Sequence, residues 1–341
     1  MHAQYHENAG LFRRAARLIA HPDETLDKLL VRVARRMLGS RRLQSSPVAW
    51  GESTALVGLQ RLVLERFYDP SVGRPYGLRK KDKKALVEQF KANTVEIASG
   101  TSWLLHVALA QQILSSPTEA KGDVIECGCY KGSSTASLSL ACKQAGRRLW
   151  VCDSFEGLPE DESTRVHDYP HLQVYGHYEK GMYAGRLEEV KGNVARFGDL
   201  SVCQFVPGFF SESLKSLTGP FVLAFLDVDL VSSMRDCIRH IWPLVADGGL
   251  VFTDDSLDME VVRVWFDDNW WRETLGERSP GYVGSGCGLP LAPDSSSLGY
   301  ARKLARPQEY YQRVPWLRYP GSGGRVSQET NPVGTPSSQG P

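Results

Sequence analysis

Short apolar runs alternate with longer amphipathic segments from about residue 121 to residue 272. The apolar runs have the length and composition of strands that are buried on both faces of a parallel sheet. They are residues 123–128, 149–153, 201–208, 221–227 and 249–255. The segments between them have helical spacing and cover residues 131–146, 183–198, 231–245 and 257–272. This alternation predicts an α/β sheet with helices on both faces, completed by a late strand pair near residues 281–286 and 297–304.

The two ends of the chain differ in composition from this middle part. Residues 11–42 hold nine Lys/Arg and three Asp/Glu, with apolar residues at helical spacing. We interpret this segment as a helix that packs on the main domain or on a second subunit; contact with a membrane or an anionic partner is the alternative. From Pro320 onward the chain is rich in Gly, Ser and Pro, and it is predicted to be disordered.

Charge and composition narrow the class of partner. The sequence has 40 Lys+Arg against 39 Asp+Glu, so no overall field favours nucleic acid or acidic membranes, and any affinity for a polyanion must come from a local patch. The sequence contains no apolar run long enough for a membrane span, and its N-terminus lacks the apolar core of a secretory signal. The seven cysteines, an odd number mostly within apolar runs, indicate buried reduced thiols. We therefore expect a cytoplasmic protein.

Polar residues at the ends of the first two predicted strands point to a nucleoside site. Ligands of parallel α/β sheets bind beyond the carboxyl ends of the strands. The first strand ends at Glu126, which is followed by Gly128 and by a helix that begins near Ser133 and includes Ser134. The second ends at Asp153, where an acidic side chain commonly accepts hydrogen bonds from ribose hydroxyls. The loop GCYKGSS is not G-x-G-x-x-G, because Tyr130 takes the place of the second glycine. Glu126, just ahead of the loop, would also repel a pyrophosphate. A nucleoside without phosphate, such as S-adenosylmethionine, fits this loop better.

Three carboxylates follow the next two strands. Asp227 ends the fourth predicted strand, and Asp254 and Asp255 end the fifth. Like charges this close would raise one another's pKa, and Mg²⁺ bound by carboxylate oxygens removes that penalty. Individual roles are the alternative: Asp254 as a helix cap, Asp255 as the partner of an arginine, and the nearby Asp229 facing solvent.

Four stretches of the chain resemble the macrocin O-methyltransferase family, which consists of class I S-adenosylmethionine-dependent enzymes that methylate sugar hydroxyls on natural products. The stretches are VIECGCYKGSS, VCDSFEGLPEDE, YAGRLEEVKGNVARFG with VPGFFSESL, and FLDVDL with GGLVFTDD. The resemblance implies a seven-stranded, Rossmann-like, mostly parallel class I methyltransferase sheet and dependence on Mg²⁺. It implies a methyltransferase domain over residues 93–305, after an N-terminal helical or lid extension (1–92) and before a C-terminal segment (306–341).

The resemblance also implies the site residues. The cofactor residues are Glu126, Gly128 and Ser134 at the methionine and ribose, Asp153 on the ribose with Ser154 and Phe155 beside it, Gly208 and Phe209 near the adenine, and Thr101 over the methionine end. The metal ligands are Asp227, Asp254 and Asp255, in agreement with the charge argument. We expect Asp227 to be the general base as well.

The expected function is Mg²⁺-dependent transfer of a methyl group from S-adenosylmethionine to a hydroxyl of a sugar or glycosylated natural product. A catechol-like diol would serve the same metal. Other classes remain open: an NAD-dependent oxidoreductase, which Asp153 alone permits, and a non-catalytic binding module. A nucleic-acid methyltransferase is a further alternative, which the basic segments 11–42 and RKKDKK (79–84) favour. We expect a homo-oligomer, since the N-terminal helix offers a surface for a second subunit.

Overall fold

The structure is a computed structural model, and it describes residues 61, 63–160, 167–169, 174–176, 178–256, 258–283 and 298–305. For residues 167–169 and 174–176 it describes the backbone. The described chain up to Lys303 belongs to one compact unit. The predicted basic helix at 11–42 and the segment from Pro320 lie outside the described residues.

The central sheet has six strands within the described residues. They are β1 (Asp123–Cys127), β2 (Leu149–Asp153), β5 (Cys203–Pro207), β6 (Phe221–Leu226), β7 (Val245–Thr253) and β8 (Gly299–Arg302). Their order is β5-β2-β1-β6-β7-β8, and all neighbours are parallel except β8, which is antiparallel to β7. Strands β3 (His167–Tyr169) and β4 (Val174–Gly176) form a separate antiparallel pair. The predicted mostly parallel α/β sheet is confirmed.

A seventh strand stays a prediction. Val283 forms a single antiparallel bridge with Tyr300 of β8, and Tyr300 also pairs with Phe252 of β7. The late strand pair expected from the sequence is therefore represented, in the part of the chain that the structure describes, by β8 and this one bridge.

Two of the helices with described bounds precede β1, and the others connect the strands of the central sheet. Those with described bounds are α1 (Lys80–Glu96), α2 (Trp103–Ser115), α3 (Ser133–Ala145), α4 (Leu187–Phe197), α5 (Phe210–Ser213), α6 (Val231–Ile241), α7 (Met259–Val264) and α8 (Asp268–Leu275). The single helix predicted at 257–272 is wrong, because Asp267 caps a new helix by accepting a hydrogen bond from the backbone N–H of Trp270. The helix predicted at 231–245 ends early, where Pro243 enters a 3-10 turn.

Helix α1 packs on the sheet domain although it begins before residue 93. Asn93 donates from Nδ2 to the Oγ of Ser137 in α3 at 3.0 Å, and both residues are buried. The division of the chain at residues 92/93 stays a prediction, and that position lies inside α1.

The sheet is covered on both faces by separate apolar clusters. Val222 and Phe225 of β6 belong to the cluster under α1–α4, whereas Ala224 and Leu226 belong to the cluster under α5–α8. All six residues of β6 are buried, as its unbroken apolar sequence predicts. No helix among the described residues is both long and apolar enough to cross a membrane.

The strand order reverses between β1 and β6. The chain runs outward from β1 to β2 and β5, and then returns to β6 on the other side of β1. Loops leave in opposite directions at such a switch point, which opens a crevice where ligands of these sheets bind. Glu126 of β1 is paired in register with Phe225 of β6, so the residues that follow both strands face this crevice together.

Candidate functional site

The loop after β1 approaches the end of β6 very closely. Gly128 has φ +82°, and a Cβ atom added there would lie 1.8 Å from the carbonyl oxygen of Asp227. Gly132, with φ +86°, is the N-cap of α3. Only glycine satisfies both the left-handed backbone and the contact at residue 128. The loop therefore presents backbone rather than side chain where a ligand would approach.

Glu126 is fully buried beneath this loop. Thr135 donates from Oγ1 to Glu126 Oε2 at 2.6 Å, whereas the buried Oε1 has no hydrogen-bond partner among the described residues. Burial raises the pKa of Glu126 to about 7, against the lowering effect of hydrogen bonds from Ser134 and Thr135. A buried acceptor oxygen without a donor, such as Oε1, is suited to accept a hydrogen bond from an amine or hydroxyl of a bound ligand. Glu126 and Ser134 thus fit the cofactor role that the sequence predicts.

Asp153, the last residue of β2, is held by two backbone amides. The N–H of Cys129 donates to Oδ2 and the N–H of Phe155 to Oδ1, both at 2.7 Å. Burial raises the pKa of Asp153, and these backbone bonds oppose the rise. Each oxygen retains a lone pair, so the carboxylate can still accept from ribose hydroxyls. The arrangement fits a ribose partner.

Other predicted cofactor residues lie around Asp153. The N–H of Gly208 donates to the carbonyl of Asp153 at 2.9 Å, and the following Phe209 is 39% exposed. Phe155 has a left-handed backbone (φ 59°), and the hydroxyl of Ser154 donates to the carbonyl of Gly157 at 2.8 Å. The structure thus brings these predicted residues to one strand end.

Thr101 lies at the beginning of α2 and is buried. Its Oγ1 is 2.8 Å from Nε2 of His106, and burial lowers the pKa of that imidazole to about 3. His106 is therefore neutral at physiological pH and fixes the Thr101 hydroxyl. The predicted position of Thr101 over the methionine end of a cofactor stays a prediction.

Three carboxylates converge at the ends of β6 and β7. One oxygen from each of Asp227, Asp229 and Asp255 lies within 4.8 Å of the others, and we call these residues the acidic group. Burial, followed by the charges of Asp254 and Asp255, raises the pKa of Asp227 well above its usual range. Burial raises the pKa of Asp229 to about 6. Three oxygen ligands with uncompensated charge fit a hard divalent cation.

The acidic group differs in one member from the predicted ligand set. Asp254 is not part of it, although its charge acts on both Asp227 and Asp255. Asp229 reaches the group because its backbone is left-handed (φ 57°), and its N–H donates to Oδ2 of Asp255 at 3.2 Å. A metal-ligand role for Asp254 stays a prediction.

Sequence reasoning missed one member of this group, Asp229, and one residue that hydrogen-bonds with it, Tyr178. The predicted ligand set omits Asp229, for which a solvent-facing position is only the alternative, although the acidic residue two positions after Asp227 in LDVD is a usable signal. Tyr178 forms a side-chain hydrogen bond with Asp229, and it lies in a loop that carries no recognisable motif. The tertiary contact was needed to find it.

Known proteins resemble the chain over this region. The sequence model of the family described as macrocin O-methyltransferase (TylF) matches residues 105–276, half of the 341 residues. A rhamnosyl-tetracenomycin C 4'-O-methyltransferase of Streptomyces olivaceus is 33% identical over 147 residues, and the match covers 39% of this chain and 52% of that protein. The mycinamicin III 3''-O-methyltransferase of Micromonospora griseorubida is 28% identical over 144 residues, 39% of this chain and 55% of that protein. The chain thus spans about half the length of these relatives.

Among solved structures, the O-methyltransferase NovP gives a TM-score of 0.49 at 17% identity, covering 65% of this chain and 97% of that one. The strand order and the two-sided helical cover described above agree with the mostly parallel α/β sheet that the family resemblance implies. The predicted family is confirmed by the match over residues 105–276, and the chain belongs to the macrocin O-methyltransferase (TylF) family.

Proposed function

We propose that this chain is a Mg²⁺-dependent O-methyltransferase, which moves a methyl group from S-adenosylmethionine to a hydroxyl of a sugar or glycosylated natural product. One observation carries the proposal: the acidic group lies at the switch point of the sheet beside the glycine loop and beside Glu126, whose buried Oε1 has no hydrogen-bond partner among the described residues. Family membership supports the reaction. The names of the relatives, which refer to a rhamnosyl-tetracenomycin and a mycinamicin, support the acceptor class.

In this proposal the residues at the ends of β1, β2 and β5 bind the cofactor. Asp153 accepts hydrogen bonds from the ribose, and Glu126 accepts one from the amine of the methionine part. Phe209 and Gly208 border the adenine. The sulfonium of the cofactor loses its charge during transfer, so the protein's main contribution is to align donor and acceptor.

In this proposal the acidic group binds the metal ion and activates the acceptor hydroxyl. Bound Mg²⁺ would supply positive charge that lowers the pKa of a coordinated hydroxyl. Asp227 and Asp255 would hold the ion together with Asp229 or Asp254. Asp227 also takes the proton of the attacking hydroxyl as general base, since its carboxylate belongs to the acidic group at which that hydroxyl would be held.

Methyl transfer from labelled S-adenosylmethionine tests the proposal, with para-nitrophenyl α-L-rhamnopyranoside and protocatechuate as alternative acceptors. We expect transfer to the glycoside that stops in excess EDTA. Asp227→Asn should lower the rate by at least about 100-fold. The matched control is Asp236→Asn, which removes a carboxylate that pairs with Arg239 on α6.

Other outcomes favour the alternatives. Full activity in EDTA would contradict the metal role. Transfer to protocatechuate without transfer to any glycoside would assign the acceptor to catechol-like diols. Calorimetric binding of NAD without binding of S-adenosylmethionine would identify an oxidoreductase.

A further inference from the structure

Four residues other than glycine have a left-handed backbone in the part of the chain that the structure describes: Tyr130, Phe155, Tyr183 and Asp229. Bulky side chains adopt this conformation rarely and at an energetic cost. Such strain persists where the surrounding structure enforces it, and it concentrates at functional sites. Phe155 and Asp229 already belong to the site described above, which leaves the two tyrosines to be explained.

The two tyrosines pack on each other at the loop after β1. Their rings meet edge to face with centroids 5.8 Å apart. A Cβ atom on Gly185 would lie 1.8 Å from the carbonyl oxygen of Tyr130, so the segment that carries Tyr183 rests directly on this loop. The backbone of Leu158 and Met182 adds a hydrogen bond of 2.9 Å. Tyr183 is thus held in place from both sides.

Tyr183 also lies beside the acidic group. Its ring centroid is 6.5 Å from that of Tyr178, whose side chain hydrogen-bonds with Asp229. Partial burial and then the charge of Asp229, followed by those of Asp227 and Asp255, raise the pKa of Tyr183. Its side chain is nevertheless 43% exposed. A strained, fixed aromatic ring therefore remains accessible next to the carboxylates.

We propose that the ring of Tyr183, backed by Tyr130, holds the acceptor by packing on the C–H face of a pyranose, while two vicinal hydroxyls of that sugar meet the acidic group. A pyranose carries apolar C–H groups on its face and hydroxyls around its edge. That distribution matches an aromatic surface next to carboxylates, because the electron-rich ring face attracts C–H groups and excludes water. The inference rests on the proposed function and names the surface that holds its acceptor.

This contact is present before and during methyl transfer, so it acts on binding. Removal of the ring should raise KM for the sugar by about tenfold and change kcat less. Tyr183→Asn removes the ring with a residue that tolerates the left-handed backbone. Tyr183→Phe keeps the ring and should behave like the wild type. Phe266→Ala, at an aromatic residue that is 53% exposed, is the control for loss of an accessible ring.

Saturation-transfer NMR of the full chain with S-adenosylhomocysteine, Mg²⁺ and methyl α-L-rhamnopyranoside tests the contact without turnover. We expect saturation to reach the C–H protons of the sugar in the wild type, in Tyr183→Phe and in Phe266→Ala. In Tyr183→Asn the signal should fall about tenfold. Thermal unfolding of the same samples confirms that each variant is folded.

Two measurements separate failure of this inference from failure of the proposed function. Calorimetry that shows no binding of S-adenosylhomocysteine to the wild type removes the proposed function and this inference with it. Normal cofactor binding with an unchanged sugar signal in Tyr183→Asn overturns the role of Tyr183 alone. Normal cofactor binding with no sugar signal in the wild type also overturns it.

Discussion

The backbone of Gly128 lies directly against the backbone of Asp227, so that a Cβ atom at residue 128 would be 1.8 Å from the Asp227 carbonyl oxygen. The N–H of Asp227 in turn donates to the carbonyl of Cys127 at 2.9 Å. The loop proposed to face the cofactor and the carboxylate proposed to act on the acceptor are therefore joined through main-chain contacts. A change that displaces either residue is therefore expected to move both the glycine loop and the carboxylate of Asp227.

Gly128→Ala should affect stability and cofactor binding together. A left-handed alanine alone costs about 1–2 kcal/mol, and here the methyl group also displaces the end of β6. We expect a loss of unfolding free energy well beyond that range and weaker binding of both S-adenosylhomocysteine and Mg²⁺. Urea unfolding and calorimetry measure these effects.

The control for this change is Gly146→Ala. Gly146 has φ +63° at the C-cap of α3, and no atom lies within 4 Å of its added Cβ. This variant should lose only the conformational cost. Equal losses in the two variants would contradict the importance of the contact with Asp227.

Glu126→Gln should change how stability depends on pH. The folded-state pKa of Glu126 is raised to about 7 from the usual 4.5, so the folded protein binds the proton more tightly than the unfolded chain does. The contribution of Glu126 to the free energy of unfolding is therefore fully present below about pH 4.5, and it is lost as the pH rises toward 7. At pH 8 the variant should exceed the wild type by up to about 3 kcal/mol, and at pH 4 the two should be close.

Cofactor-free protein is required for this comparison, with thermal or urea unfolding measured across the pH range. Glu189→Gln, at a carboxylate that pairs with Lys131 and is 41% exposed, reports the general effect of the Glu to Gln change. A Glu126→Gln variant that is less stable than the wild type at pH 8 would contradict the burial argument.

Asp227→Asn should stabilise the metal-free protein and remove its response to Mg²⁺. The raised pKa of Asp227 reflects burial among the like charges of Asp254 and Asp255, and asparagine relieves that repulsion. We expect a higher melting temperature without metal at pH 8. The rise in melting temperature that Mg²⁺ produces in the wild type should disappear. Unchanged stabilisation of the variant by Mg²⁺ would argue against the acidic group as the metal site.

A comparison of the variants Asp229→Asn and Asp254→Asn tests which of these two residues is the third metal ligand. The grouping of Asp229 with Asp227 and Asp255 within 4.8 Å predicts that Asp229→Asn weakens Mg²⁺ binding by about tenfold or more, with a smaller effect at Asp254. Calorimetry with Mg²⁺ measures both variants. The reverse order would support the ligand set that the family resemblance implies.

The sequence by itself determined the alternation of strands and helices, the residues at the strand ends and the family. Buried parallel strands are unbroken apolar runs, so β6 is recognisable from FVLAFL alone. Because ligands of such sheets bind at the carboxyl ends of strands, Glu126, Asp153 and Asp227 could be selected without coordinates. The local sequence pattern, together with the general rule on where ligands bind in such sheets, was sufficient to select these three residues as site residues.

Only the tertiary structure decided which side chains share the crevice. Asp229 enters the acidic group through a left-handed turn and a hydrogen bond with Asp255, which follows β7 and lies 26 residues further along the chain. Tyr178 and Tyr183 reach the same place because their loop packs on Tyr130 and hydrogen-bonds with Asp229. These contacts depend on backbone turns and on the packing of distant segments, neither of which leaves a periodic signal in the sequence.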